Sequence, residues 1–130
     1  MKKVVLLATL IFSVMFSSAS YAGWTKVGTS VAGHTYYVDF ERIRKHNGFV
    51  YYWSLTDYLK PSPYGDLSYQ IYYEADCNLY RQKALSAVSH KQSMGRDTGN
   101  SYNPKNQEWD YLRPDSSGHY VLNTVCDQMK

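Results

Sequence analysis

Two widely separated cysteines, Cys77 and Cys126, constrain the fold most, and they are the only two in the chain. This cysteine usage is typical of one long-range disulfide in an exported protein. By chain-entropy reasoning, a bridge that closes a loop of about 50 residues stabilises a fold by roughly 4 kcal/mol. We therefore predict that the bridge ties the C-terminal segment to the body of the domain.

The N-terminal segment, residues 1–22, has the pattern of a secretory signal peptide. Lys2 and Lys3 precede an apolar run over residues 4–16, and cleavage is expected after Ala22. That run is too short to cross a bilayer core of roughly 30 Å. Residue 23 is Gly23, not the cysteine that a bacterial lipid anchor needs. We expect residues 23–130 to form a single exported domain that is periplasmic, secreted or surface-associated, not lipid-anchored, and without an integral membrane segment.

Apolar and polar residues alternate with a period of two along residues 23–130, and the apolar ones are mostly aromatic or β-branched. This pattern predicts strands rather than helices. The predicted strands are 24–27, 35–38, 49–58, 68–76, 79–88 and 108–112. Two rows are predicted to form the core: Phe49, Tyr51, Trp53 and Leu55 in the third strand, and Tyr69, Ile71, Tyr73, Ala75 and Cys77 in the fourth.

Three segments outside the strands are predicted from their residue types. Asp39 is expected to cap a short helical turn over residues 39–44. Residues 92–107 carry glycines and asparagines and are expected to form an exposed loop. After Pro114 the apolar spacing changes to that of a helix, capped by one of residues 115–117 and carrying Cys126 on its apolar face. The predicted fold class is therefore α+β, an antiparallel sheet with one face covered by a C-terminal helix.

The sequence offers little support for catalysis, a cofactor or a metal. The four histidines are widely spaced, and no His-Glu-x-x-His element is present. A nucleophile elbow and a phosphate-binding glycine loop are also missing from the sequence. The formal net charge is only +3, and the densest basic cluster holds Arg42, Arg44 and Lys45, so nucleic acid is not an expected partner. We predict a binding protein, not an enzyme.

An ordered series of residues resembles one known family, the surface-adhesin protein E family of Gram-negative bacteria. The series covers nearly the whole of residues 23–130. It consists of Trp24-x-Lys26-Val27, Tyr36-Tyr37-Val38-Asp39, Ile43-Arg44, Trp53-x-Leu55-x-Asp57-Tyr58, Asp76-Cys77, Met94-Gly95, Trp109, Pro114 and Cys126. The resemblance implies a curved sheet of about six antiparallel strands, with the C-terminal helix tied to its concave face by the disulfide.

The same resemblance implies an adhesin that binds host extracellular-matrix or plasma proteins such as vitronectin, laminin or plasminogen. The alternative is a periplasmic protein-interaction or envelope-accessory module with no adhesin role. The matched positions are those of core, turn and disulfide residues, so they indicate the fold rather than the residues that contact a partner.

The candidate binding residues come from composition and parity. The chain has 14 tyrosines and 3 tryptophans, more aromatic residues than one small core can hide. Four tyrosines have the opposite parity to the predicted core rows: Tyr52, Tyr58, Tyr72 and Tyr80. We expect them to be exposed and to contact a partner. The alternative is that they pack under loops, against the helix or in a homodimer. The basic cluster Arg42, Arg44 and Lys45 is either a solvated turn or a site for acidic glycans. Lys130 is either a frayed terminus or a ligand for lysine-binding plasma proteins.

Overall fold

The computed structural model describes residues 23–130, and the predicted signal peptide lies outside the described residues. Within this range the chain forms eight strands, two 3-10 turns and one α-helix, α1 (Ser117–Gln128). The strands are β1 (Trp24–Thr29), β2 (Thr35–Asp39), β3 (Arg44–His46), β4 (Phe49–Asp57), β5 (Ser68–Asp76), β6 (Arg81–His90), β7 (Asn100–Tyr102) and β8 (Asp110–Tyr111). The 3-10 turns are Phe40–Arg42 and Ser93–Gly95.

All eight strands pair antiparallel in one open sheet, with the order β1-β2-β4-β5-β6-β7. β2 and β3 pair with the two ends of the same edge of β4, and β7 and β8 pair in the same way with β6. Eight strands therefore occupy six positions across the sheet. The predicted α+β class and antiparallel sheet are confirmed.

The helix α1 lies on one face of this sheet because its apolar residues recur at helical spacing. Its buried residues are Val121, Leu122, Val125 and Cys126. Ser116 caps the helix, and its hydroxyl oxygen accepts a hydrogen bond from the His119 backbone N–H at 3.1 Å. Cys126 forms a disulfide with Cys77, just after β5, with their Cα atoms 5.8 Å apart. The predicted helix and bridge are both confirmed.

The core lies between α1 and the sheet. Val50 and Tyr52 of β4 are directly opposite Ala75 and Tyr73 of β5 in the antiparallel register. These four side chains and Val38 pack in one cluster with the buried residues of the helix. Tyr73 and Ala75 of the row predicted for β5 therefore pack against the helix cluster, and Tyr69 and Ile71 lie on the same face of the sheet outside that cluster.

The row predicted for β4 lies on the face opposite α1, where Leu55 is fully buried as predicted but Phe49, Tyr51 and Trp53 are only half-buried. Tyr51 and Trp53 are on the side of the sheet opposite α1, and Tyr52, predicted to be exposed, has only 1% of its surface accessible. Aromatic residues stand at both parities of β4, so alternation alone cannot decide which row the helix will cover. Packing against the helix decides it, and that contact is not local in sequence.

The turns confirm one prediction and modify two others. Asp39 caps the 3-10 turn as expected, accepting a hydrogen bond from the Glu41 N–H at 3.1 Å. Asp76 accepts the backbone N–H groups of Asn78 and Leu79, so the turn after β5 is longer than predicted and β6 begins at residue 81. The predicted loop over residues 92–107 contains a 3-10 turn and the short strand β7.

Candidate functional site

The face of the sheet opposite α1, hereafter the outer face, carries a continuous group of aromatic and basic side chains. They are Trp24, Phe49, Tyr51, Trp53, Tyr72 and Trp109 with Arg42, Arg81 and Lys83. The antiparallel register places Trp53 directly opposite Tyr72, and their ring centroids are 5.1 Å apart. Tyr51 lies 6.2 Å from the same Tyr72 ring. These rings are half-buried because they pack on one another.

Arg42 joins the first strand to the middle of the outer face. Its guanidinium lies over two indole rings, 5.8 Å from the centroid of Trp24 and 5.7 Å from that of Trp53. The same guanidinium forms an ion pair with Asp39, whose side chain is almost entirely buried. The 3-10 turn that Asp39 caps thus holds the arginine above the tryptophans, and about half of the Arg42 side chain remains exposed. Such stacked arginines combine cation–π attraction with packing.

A second cationic cluster surrounds Trp109 at the other side of the outer face. The guanidinium of Arg81 lies 4.2 Å from the Trp109 ring centroid, and the Lys83 ammonium lies 4.5 Å from it. Each cation also has a carboxylate partner: Arg81 pairs with Asp76 at 3.0 Å, and Lys83 pairs with Glu74 at 3.6 Å. Cations and carboxylates therefore alternate among the rings, and the face carries little uncompensated charge.

The pKa values of two outer-face groups, Asp76 and Tyr51, are shifted by their hydrogen bonds. Burial raises the pKa of Asp76, but hydrogen bonds from the Leu79 N–H, Arg81 and the Asn78 N–H outweigh it, so the pKa lies below the usual value. The hydrogen bond from Tyr51 to the Glu74 carboxylate, 2.6 Å long, is the main cause that raises the pKa of Tyr51 to about 12. Near neutral pH, the two shifts keep the Asp76 carboxyl ionised and the Tyr51 hydroxyl protonated.

This arrangement is suited to binding. Among the residues that the structure describes, no three His, Cys, Asp or Glu side chains converge as a metal site would require. The carboxylates that lie among these rings, those of Asp39, Glu74 and Asp76, are each engaged by a cation or a tyrosine hydroxyl. What the face presents to solvent is ring surface and guanidinium groups.

Comparison with known families identifies a match over residues 24–127 to the family described as surface-adhesin protein E. The chain belongs to the surface-adhesin protein E family. The resemblance stated from the sequence is thereby confirmed. Comparison with curated proteins gave no match.

Solved structures of Haemophilus influenzae protein E share the fold. Crystal form II of that protein matches with a TM-score of 0.59 and 20% identity, covering 85% of this chain and 92% of the other. A structure of protein E from non-typeable Haemophilus influenzae matches with a TM-score of 0.54 and 21% identity, covering 85% and 79% respectively. In the part of the chain described, no helix is long and apolar enough to span a membrane.

Three of the residues predicted from sequence meet on the outer face. Arg42 and Tyr72 belong to it, and Arg44 joins it because its strand partner is Tyr51. Arg44 is exposed, so it stands at the rim of the aromatic group.

The other predicted residues lie elsewhere. Tyr52 is a core residue whose hydroxyl donates to the buried Gln82 Oε1 at 2.7 Å, so the expectation that it is exposed is wrong. Tyr80 packs on α1, stacking on His119 and donating a hydrogen bond to Asn123. Tyr58 is half-buried and makes an edge contact with His34.

Lys45 and Lys130 are both at the C-terminal end of α1, on the helix side of the sheet. The Lys45 ammonium donates to the Met129 carbonyl oxygen at 3.0 Å. The Lys130 ammonium is 3.1 Å from the Asp127 carboxylate, a hydrogen bond that raises the pKa of Lys130. The basic residues grouped by sequence are therefore divided between two faces.

Sequence reasoning missed the three tryptophans as surface residues. The sequence pattern places Trp53 in the core, and it places Trp24 and Trp109 in predicted strands without assigning either to a face. The usable signal is the presence of aromatic residues at both parities of β4, since one helix can cover only one face of the sheet.

Proposed function

We propose that this protein is an exported adhesin that binds a host extracellular-matrix or plasma protein through its outer face. Vitronectin, laminin and plasminogen are the partners to test first, because the family resemblance implies them. Membership of the surface-adhesin family supports the class of function. The proposal of a particular face comes from the arrangement of aromatic and basic side chains.

The observation that carries the proposal is the composition of the outer face. Trp, Tyr and Arg are the residues most enriched at the energetic centres of protein interfaces. Here Trp24, Trp53 and Tyr72 form one surface with Arg42, held in place by ring packing and the ion pair to Asp39. Side chains held in this way lose little conformational entropy when a partner binds.

The neighbours Arg44 and Lys45 provide a matched test. Both are exposed on β3, but Arg44 is opposite Tyr51 on the outer face, whereas Lys45 contacts the end of α1. Arg44→Glu and Lys45→Glu make the same change of charge at adjacent positions. Binding of the oxidised protein to immobilised vitronectin, laminin and plasminogen would be measured at two salt concentrations.

We expect Arg44→Glu to weaken binding and to change its salt dependence, because rim charges act mainly on the association rate. Lys45→Glu should have a smaller effect. Tyr72→Ala should weaken binding by about 2 kcal/mol if the ring is a central contact. Equal effects of the two charge reversals, or full binding by Tyr72→Ala, would contradict the proposed face.

Location separates the adhesin from the alternative of a periplasmic interaction module. Protease treatment of intact cells should digest a surface-exposed adhesin and spare a periplasmic protein. The homodimer left open by the sequence also stays a proposal, for which the edge strands β1 and β7 are candidate pairing sites. Sedimentation of the protein over a range of concentrations tests it.

A further inference from the structure

A cleft of about 770 Å³ lies between the loop over residues 61–66 and the edge strand β7. Four tyrosines line it, Tyr58, Tyr64, Tyr69 and Tyr102, and we call it the tyrosine cleft. Among the residues described, none of those that line the cleft belongs to α1. None of the lining residues that the structure describes belongs to the core cluster around α1 or to the aromatic and basic group of the outer face.

The rings of the cleft are unusually accessible for aromatic side chains. Tyr64 has 84% of its surface exposed and Tyr102 has 45%, and they stand on the two opposite walls. Between them, the hydroxyl of Tyr69 contacts the hydroxyl of Tyr102. Clustered ring surface that does not contribute to the core is a common mark of a binding site.

Hydrogen bonds hold both walls in place. Ser62 Oγ accepts the backbone N–H of Asp66 at 3.1 Å, which closes the loop on itself. The Lys91 ammonium donates to the Tyr64 carbonyl oxygen at 2.6 Å and pairs with Asp66 at 3.0 Å, so the loop is tied to the end of β6. In the opposite wall, the Asp97 carboxylate accepts the Lys91 backbone N–H at 3.1 Å. A ligand would meet a largely formed site.

The charges of the cleft disfavour an anionic ligand. Two carboxylates, those of Asp66 and Asp97, line it together with a single ammonium, that of Lys91. That ammonium is already engaged by Asp66 and by a carbonyl oxygen. Phosphates, sulfates and carboxylated ligands would therefore meet no free cation in this cleft.

We propose that the tyrosine cleft binds a neutral oligosaccharide. A sugar ring has an apolar face of C–H groups that packs on an aromatic ring, and its hydroxyl edge bonds to phenol, hydroxyl and amide groups such as those of Tyr64, Ser89 and Asn100. An extended peptide is less well matched, because Pro63 is the one aliphatic side chain in the lining. This site does not depend on protein binding at the outer face.

The test uses the oxidised protein and two neutral probes, the β-1,4-linked trimer of N-acetylglucosamine and a galactose-containing tetrasaccharide of the animal glycoprotein type. The first represents bacterial cell-wall sugars and the second represents host glycans. Titration followed by NMR chemical shifts locates the site, and a sulfated trisaccharide and a neutral tripeptide are titrated in parallel. Tyr64→Ala and Tyr102→Ala are compared with Tyr120→Ala, another exposed tyrosine, which lies on α1.

We expect at least one neutral saccharide to shift the resonances of residues 61–66 and β7. Tyr64→Ala and Tyr102→Ala should weaken that binding tenfold or more, with an unchanged thermal midpoint, and Tyr120→Ala should leave it unaltered. The probe that binds more tightly identifies the source of the sugar. The proposal is overturned if neither neutral probe binds at millimolar concentration, if the sulfated probe or the tripeptide binds the cleft more tightly, or if all three variants behave alike.

Discussion

Reduction of the Cys77–Cys126 bridge should lower the free energy of unfolding by roughly 4 kcal/mol. The bridge joins residues 49 positions apart, so it closes a loop of about 50 residues in the unfolded chain. Comparing oxidised and reduced protein removes the crosslink without removing any side-chain atoms. The loss therefore reports the constraint on the unfolded state and not a cavity in the core.

The folded structure itself should survive reduction. A helix as short as the 12 residues of α1 is marginal in water on its own, so its helicity depends on docking to the sheet. Val121, Leu122 and Val125 are buried in that contact, and full burial of such a side chain contributes about 1.5–3 kcal/mol. Three such side chains should keep the reduced helix in place near neutral pH.

Urea unfolding of the two forms, followed by circular dichroism, gives the test. With a slope of about 1–3 kcal/mol/M, a loss of roughly 4 kcal/mol moves the midpoint down by about 1.3–4 M. The slope should increase, because the unfolded chain expands without the crosslink. A Cys77→Ala/Cys126→Ala variant should behave like the reduced protein. A loss below about 1 kcal/mol, or disappearance of the helix signal before urea is added, would refute the reasoning.

Two further predictions concern single side chains. Tyr52→Phe should lower the free energy of unfolding by about 1–3 kcal/mol, because it leaves the buried Gln82 oxygen without its donor. The control Tyr72→Phe should change the free energy of unfolding by less than about 0.5 kcal/mol. Equal effects of the two variants in urea unfolding would contradict the assigned faces. The pKa of Asp76 is lower in the folded state than in the unfolded state, where it is about 3.9. The Asp76 carboxylate therefore stabilises the fold at pH values above about 3.9. This stabilisation is lost as the pH falls through the lower pKa of the folded state. Asp76→Asn should therefore destabilise the protein at pH 7 by about 1–3 kcal/mol, through weakened bonds to Arg81 and the turn, and should flatten the dependence of stability on acid pH. An unchanged acid limb in the variant would contradict this assignment.

Much of the fold was predictable because its signals are local. The two cysteines, the Asp39 cap and the change from a period of two to helical spacing after Pro114 each depend on a few neighbouring residues. The structure confirms all three of these features. The positions of the long strands β4 and β5 followed from the same kind of pattern.

The candidate site was harder to predict because it depends on which face the helix covers. A shift of one residue in parity moves every side chain of a strand to the other face. In β4, Val50 and Tyr52 on one parity and Tyr51 and Trp53 on the other are equally suited to a core. Arg44 and Lys45 show the same limit, since adjacent basic residues in a strand point to opposite faces and so cannot form one site.

The surplus of aromatic residues follows from this geometry. One helix of 12 residues covers only part of one face of a sheet that is six strands wide. Of the tyrosines described by the structure, Tyr52 alone is buried, and the others remain at least partly accessible. Contiguous accessible ring surface is typical of sites that contact other molecules, because its removal from water on binding is favourable. The rings are also not scattered, since the outer face gathers them with cations and the tyrosine cleft gathers them with neutral and acidic groups. Because the two surfaces differ in chemistry, we expect them to bind two kinds of ligand. Mutations in the outer face should abolish binding of one ligand, and mutations in the tyrosine cleft should abolish binding of the other.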